Sequence, residues 1–184
     1  MNLRWRGSCG VMLLVASACQ STPIVGADSS AFPDSWFGTW RGECALHRAD
    51  GRQPFPMGIE IGPWEGDRCR WHILYGEGES VQRRAYDLIA VDPDAGHYAI
   101  DENNGIVLDS YLRAGVLYTA FEVQGSRLLA RYEWVGDAVE FEIVITDVEV
   151  ERTTGGGEVP EVQGFAVPTV QRATLRRAGT GKNG

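Results

Sequence analysis

Between Val139 and Thr146 the chain sets Val139, Phe141, Ile143 and Ile145 against Glu140, Glu142, Val144 and Thr146, an alternation with a period of two. Successive side chains of an extended chain point to opposite faces, so such a run predicts a strand with one apolar face and one wetter face. The pattern recurs where Leu128, Ala130, Tyr132 and Trp134 alternate with Arg127, Leu129, Arg131 and Glu133. It recurs again where Cys69, Trp71, Ile73 and Tyr75 alternate with Arg68, Arg70, His72 and Leu74. No long stretch with the 3.6-residue period of a helix competes with it.

Turn signals separate these runs at short intervals: Ala49-Asp50-Gly51, Glu65-Gly66-Asp67, Asp92-Pro93-Asp94-Ala95-Gly96, Asn103-Asn104-Gly105, Gln124-Gly125-Ser126 and Gly136-Asp137. Asn, Asp and Gly at such junctions supply the positive φ and local hydrogen bonds that tight hairpins need. The expectation is an all-β domain over residues 35–177, an antiparallel up-and-down barrel of about 8–10 strands, since closure removes exposed edges. One connection breaks the rhythm: Arg152 to Pro168, with Gly155-Gly156-Gly157, reads as a long loop, either a lid or rim or a plain hairpin tip.

The start of the chain obeys different rules. Arg4 and Arg6 precede the apolar run Val11–Val15 and then small residues up to Cys19, which is the order of a secretory signal. The apolar run is far shorter than the roughly 20 residues that cross a bilayer as a helix. Val15-Ala16-Ser17-Ala18-Cys19 resembles a bacterial lipobox, with Ala16 where Leu is usual. That resemblance implies a signal peptide over 1–18 and lipid attachment at Cys19; the Ser-, Pro-, Ala- and Gly-rich stretch that follows makes 19–34 a flexible tether, and 178–184 reads as a frayed tail. Gln20 after the anchor, in place of Asp, leans toward the outer membrane, facing the periplasm.

Charge excludes one class of partner. The chain carries 17 basic and 25 acidic residues, a net of −8 that becomes −10 without Arg4 and Arg6. Nucleic acid needs phosphates neutralised by Lys and Arg, so no nucleic-acid partner is expected. Contact with the membrane is expected through the lipid anchor only.

The first strand reads Gly38-Thr39-Trp40-Arg41-Gly42-Glu43. A Gly-x-Trp there resembles the calycin superfamily of lipocalins, fatty-acid-binding proteins and nitrobindins, and the wording is most similar to the nitrobindin-like branch. The resemblance implies that Trp40 plugs a closed barrel end and that a last-strand arginine, Arg172 or Arg176, packs across it. Nitrobindins hold haem through a histidine near the C-terminus. Nothing follows His97 here, so haem is not expected, nor any other cofactor.

Ligand chemistry is then sought in the apolar faces. Trp40, Trp71, Tyr75, Tyr132, Trp134 and Phe141 fall on one face of their strands, where they either fill the core or wall a small hydrophobic or amphipathic ligand. Trp36 and Trp64, near strand ends, suit a rim or cap. Arg172 and Arg176 share a face of the last strand; pointing inward they would suit a ligand carboxylate, and pointing outward they are solvated surface. Cys44 and Cys69 are the cysteines of the folded domain, and an oxidising compartment favours their disulfide. A plain meander opposes it: one strand between them sets the Cα atoms roughly 9–10 Å apart, against the about 4.4–6.8 Å a disulfide spans.

Enzyme motifs are absent from the sequence: no nucleophile elbow, no His-Glu-x-x-His, no phosphate-binding glycine loop. His47 and His72 fall on outer strand faces. His97 with Asp101 and Glu102 is the one cluster that could hold a cation or activate a base, though turn chemistry explains the same residues. No metal site is expected. Three functions therefore stand in order: a ligand-binding barrel, a protein-interaction module with a filled core, and an enzyme resting on His97 and Asp101.

Overall fold

The computed structural model describes residues 32–179; the signal segment, Cys19, most of the tether and the end of the tail lie outside the described residues. Twelve strands follow in order: β1 Gly38–Arg48, β2 Gly51–Glu65, β3 Arg68–Tyr75, β4 Gln82–Asp92, β5 His97–Asp101, β6 Val107–Arg113, β7 Val116–Val123, β8 Ser126–Val135, β9 Ala138–Asp147, β10 Val150–Gly156, β11 Val159–Phe165 and β12 Thr169–Arg177. From β1 to β9 each strand pairs antiparallel with the next, and β12 closes a ten-stranded barrel between β9 and β1. The tight turns follow backbone chemistry. Gln124 and Gly125 both have positive φ, 49° and 79°, as a two-residue hairpin that matches strand twist demands.

The alternation converts directly into register. Trp134 faces Val139, Tyr132 faces Phe141 and Ala130 faces Ile143 across β8 and β9. Phe141 in turn faces Ala173, and Val139 faces Leu175, across β9 and β12. Each of these rows points into the barrel, and most of its members are buried.

The segment expected as one long loop is instead a second, two-stranded sheet, β10 paired with β11. It leaves the barrel after β9 and returns into β12, and every residue of β10 is exposed. Gly155 lets the strands approach: a Cβ there would lie 2.1 Å from the Pro160 carbonyl oxygen. Alternation is weak across this hairpin because neither of its faces is buried, so the sequence carries little strand signal there.

The two barrel ends differ. Where β1 begins, Phe32, Trp36, Trp40, Trp71, Tyr98 and Trp134 form an aromatic plug with ring centroids 5.0–6.4 Å apart. Packing thus starts at Phe32, inside the segment read as tether. A short 3-10 turn, Asp34–Trp36, carries Trp36 into the barrel mouth, and its carbonyl accepts a 2.8 Å bond from Trp40 Nε1. The opposite end, where β1 ends and the β10–β11 hairpin emerges, has no such plug among the described residues.

Arg177, not Arg172 or Arg176, is the arginine that packs across Trp40. Its guanidinium lies 4.3 Å from the Trp40 ring centroid and 6.0 Å from that of Trp134, and its Nη1 donates to the Phe37 carbonyl at 2.6 Å. Gly38 makes the room: a Cβ there would sit 2.4 Å from Arg177 Nη1. The Gly-x-Trp wording of β1 thus describes a space for Arg177 and a ring beneath it.

Candidate functional site

At the unplugged end the barrel interior holds a cavity of about 160 Å³, lined among others by Tyr75, Tyr86, Glu102, Thr119, Tyr132 and Phe141. Its remaining wall is mostly apolar, from Ile73, Ile100, Leu108, Phe121 and Ile143. A volume near 150 Å³ is about what a benzene molecule occupies in a protein interior, and about five waters' share of the liquid. The cavity therefore suits a small occupant, below the roughly 300–1,000 Å³ typical of drug-sized ligands.

The side chains arrive here by register. Tyr75 ends β3 on the inner face begun by Cys69, Trp71 and Ile73. Tyr86 lies opposite Trp71 on β4, and Thr119 lies opposite Ser110 and Ala130 on β7. The Ser110 and Thr119 hydroxyls are 2.6 Å apart and both residues are buried, so each hydroxyl has its partner in the other. Glu102 follows β5 at the rim, where Asn104 Nδ2 donates to its carboxylate at 3.1 Å. Gln171 of β12 faces inward beside Ile143 and lies next to the Tyr75 hydroxyl and the Cys44 thiol.

The three tyrosines stay protonated at neutral pH. Burial drives the Tyr132 hydroxyl well above the ordinary phenol range, with Tyr75 nearby adding to it. Tyr75 is raised by burial and then by Tyr86, and Tyr86 by burial and then by the Glu102 carboxylate. Each is therefore a neutral O–H that can donate and accept.

Of the aromatic residues expected to wall a ligand, Tyr75, Tyr132 and Phe141 line the cavity, whereas Trp40, Trp71 and Trp134 belong to the plug or its border. All six have the inward parity; depth along the barrel axis separates them. Tyr86, Thr119 and Gln171 were not read from the sequence, and Glu102 was read there only as a companion of His97 and Asp101. The inner face of β4 runs Gln82, Arg84, Tyr86, Leu88, which hides its strand pattern because its first two members sit at the wet mouth.

Arg172 and Arg176 point outward, with side chains 65% and 64% exposed, so they do not reach a ligand carboxylate inside. Arg172 pairs with Glu142, and Arg176 with Asp137 at 2.6 Å. Ala173 and Leu175 hold the inner face between them, and the same parity sends Arg177 inward.

The Cys44–Cys69 disulfide is not formed; both thiols are free and buried. Cys44 lies opposite Phe55 and Cys69 opposite Trp64, nine residues apart on the intervening β2. That is on the order of 25–30 Å along the strand at about 3.3 Å per residue, beyond any bridge. Burial raises both thiols, Cys69 to about 12 with Asp87 adding to it.

The His97 neighbourhood does not converge. His97 Nε2 lies 2.7 Å from Asp109 Oδ1 on the barrel's outer face and its ring stacks on Tyr111 at 4.8 Å. Asp101, at the other end of β5, accepts from Asn103 N at 2.8 Å, and Glu102 turns to Tyr86. His72 also lies on an outer face, 3.4 Å from Arg83 Nη1 and 3.6 Å from Glu60. Burial, then Arg83, lowers its pKa. Among the described residues no three His, Cys, Asp or Glu side chains are grouped as metal ligands would be.

No family model matches the chain, and no curated protein matches it in sequence. The fold is similar to a solved structure from Nostoc punctiforme, a protein of unknown function from the DUF3598 family, with a TM-score of 0.53 and 14% identity. The match covers 79% of this chain and 48% of that one, so the chain spans about half the length of its neighbour. At that identity the likeness speaks to the fold alone.

Proposed function

We propose that this is a lipid-anchored envelope protein whose calycin-like barrel binds a small amphipathic molecule in the cavity at its open end. The observation that carries the reading is the mixed wall of that cavity: apolar residues from several strands, interrupted by three neutral tyrosine hydroxyls. Packing alone would favour filling the space, because a void forfeits dispersion contacts and each buried polar group needs a partner. The plugged end and the Arg177 clasp over Trp40 support the calycin reading, since they match what the Gly-x-Trp resemblance implies.

The anchor has a geometric consequence. Phe32 packs against Trp36 and Tyr98 at the plugged end, so a tether from Cys19 would enter there. The cavity mouth would then face away from the membrane, toward solutes in the periplasm. A protein-interaction role is the second reading, and the β10–β11 hairpin favours it: it projects beside the mouth with Val150, Val159 and Val162 exposed.

Native mass spectrometry of the chain from Gln20 onward, expressed in the periplasm, tests the first reading. A co-purified small molecule displaced by unfolding supports it. A bare mass, together with no response to added small amphiphiles, transfers the weight to the hairpin. Palmitate labelling of the full chain, lost in Cys19→Ser, tests the anchor separately.

A further inference from the structure

The polar atoms of the wall narrow the occupant, on the reading that this cavity is a ligand site. Trp71 is 0% exposed, borders the cavity rather than lining it, and packs edge-on to Tyr132 at 5.2 Å with its Nε1–H turned to the Tyr132 hydroxyl, finding no closer acceptor among the described residues. Gln171, also beside the cavity, turns its side-chain amide in the same way to the Tyr75 hydroxyl and the Cys44 thiol. Buried donors without acceptors are rare in folded proteins, because each gives up its bonds to water, and here the two tyrosine oxygens serve as the acceptors. With their oxygens accepting from Gln171 and Trp71, the Tyr75 and Tyr132 O–H groups are left to donate into the cavity that both residues line.

Charge is confined to the mouth. Arg84 and Glu102 both reach the Tyr86 hydroxyl there, so their charges oppose one another across one group. Arg172 and Arg176 are outside the barrel, and Arg177 is held at the plugged end. An anion drawn inward would lose its hydration and find no cation, which costs several kcal/mol in a low-dielectric interior. A cation drawn past the mouth, where Arg84 offsets Glu102, finds no carboxylate among the other lining residues.

We infer that the cavity takes an uncharged molecule with a carbonyl-type acceptor oxygen, as in an amide, ester or ketone, on an apolar body of about four to six carbons. The oxygen goes in first, toward the Tyr132 and Tyr75 hydroxyls, and the apolar body lies against Ile73, Phe121 and Ile143.

Three probes of similar size test this on the chain from Gln20: pentanamide, pentanoate at pH 7.5, and benzene, each titrated to about 10 mM while methyl NMR signals of Ile73, Ala130 and Ile143 are followed. Pentanamide is expected to saturate these shifts, with pentanoate at least about tenfold weaker. Tyr132→Phe should weaken pentanamide by about tenfold and leave benzene unchanged. Should that variant disturb the fold, Tyr75→Phe, which also lines the cavity, gives the same comparison. Pentanoate binding as tightly as pentanamide, or pentanamide indifferent to both variants, overturns the inference and leaves the cavity reading standing. No response of these methyls to any probe overturns both.

Discussion

Replacing Arg177 with Ala should destabilise the barrel by about 2 kcal/mol, and replacing Arg172 with Ala by under about 1 kcal/mol. The two arginines are five residues apart on one strand and carry the same charge, so composition cannot tell them apart. Arg177 places its guanidinium over Trp40 at 4.3 Å and donates to the Phe37 carbonyl at 2.6 Å. A cation over an indole contributes about 0.5–2 kcal/mol depending on desolvation. A charge-assisted bond to a carbonyl contributes about 1.5–3 kcal/mol when shielded, and less for a partly exposed group such as this one. Arg172 pairs with Glu142 in a side chain 65% exposed, where solvent screens the attraction and ordering costs entropy. Urea unfolding followed by circular dichroism gives both values, provided that the slope with denaturant is unchanged. In a domain of this size about 2 kcal/mol also lowers Tm by roughly 4–8 °C. Equal losses for the two variants, or a loss below about 0.5 kcal/mol for Arg177→Ala, would refute the assignment of Arg177 as the clasp of the plugged end.

Thr119→Val leaves the Ser110 hydroxyl without its 2.6 Å partner and should cost about 1–3 kcal/mol, while Ser110→Ala with Thr119→Val should cost less than the sum of the single changes, measured in a double-mutant cycle. Cys69 titrates at about 12 in the fold, above its unfolded value, so its contribution is complete below about pH 8.5 and is lost as pH rises from there through 12. Stability measured across that alkaline range should fall less steeply in Cys69→Ala. Deleting Val150–Phe165 in favour of a short turn should leave the barrel's Tm within about 3 °C, because only Phe165 of the hairpin is even half-buried, its ring under Arg127 of β8; a larger drop would mean that the hairpin is part of the folding unit.

The alternation of apolar and polar residues was enough to establish the strands, their inner faces and the antiparallel order, since side-chain direction in an extended chain is a local property. It also contained the answer for the last strand: with Ala173 and Leu175 inward, Arg177 is the next inward residue and Arg172 and Arg176 are not. Depth along the barrel is not a local property. Trp71 and Tyr132 share an inner face, yet one is covered by Phe32 and Trp36 from the N-terminal turn and the other borders the cavity. Glu102 joins that cavity from just past β5, and Gln171 of β12 lies beside it, where short polar inward positions leave no periodic trace. The distance between Cys44 and Cys69 likewise depends on how far β2 runs between them, which only the pairing register fixes. Parity along each strand is set by the sequence; which end is sealed, which is hollow and what converges there follow from closing ten strands into one ring.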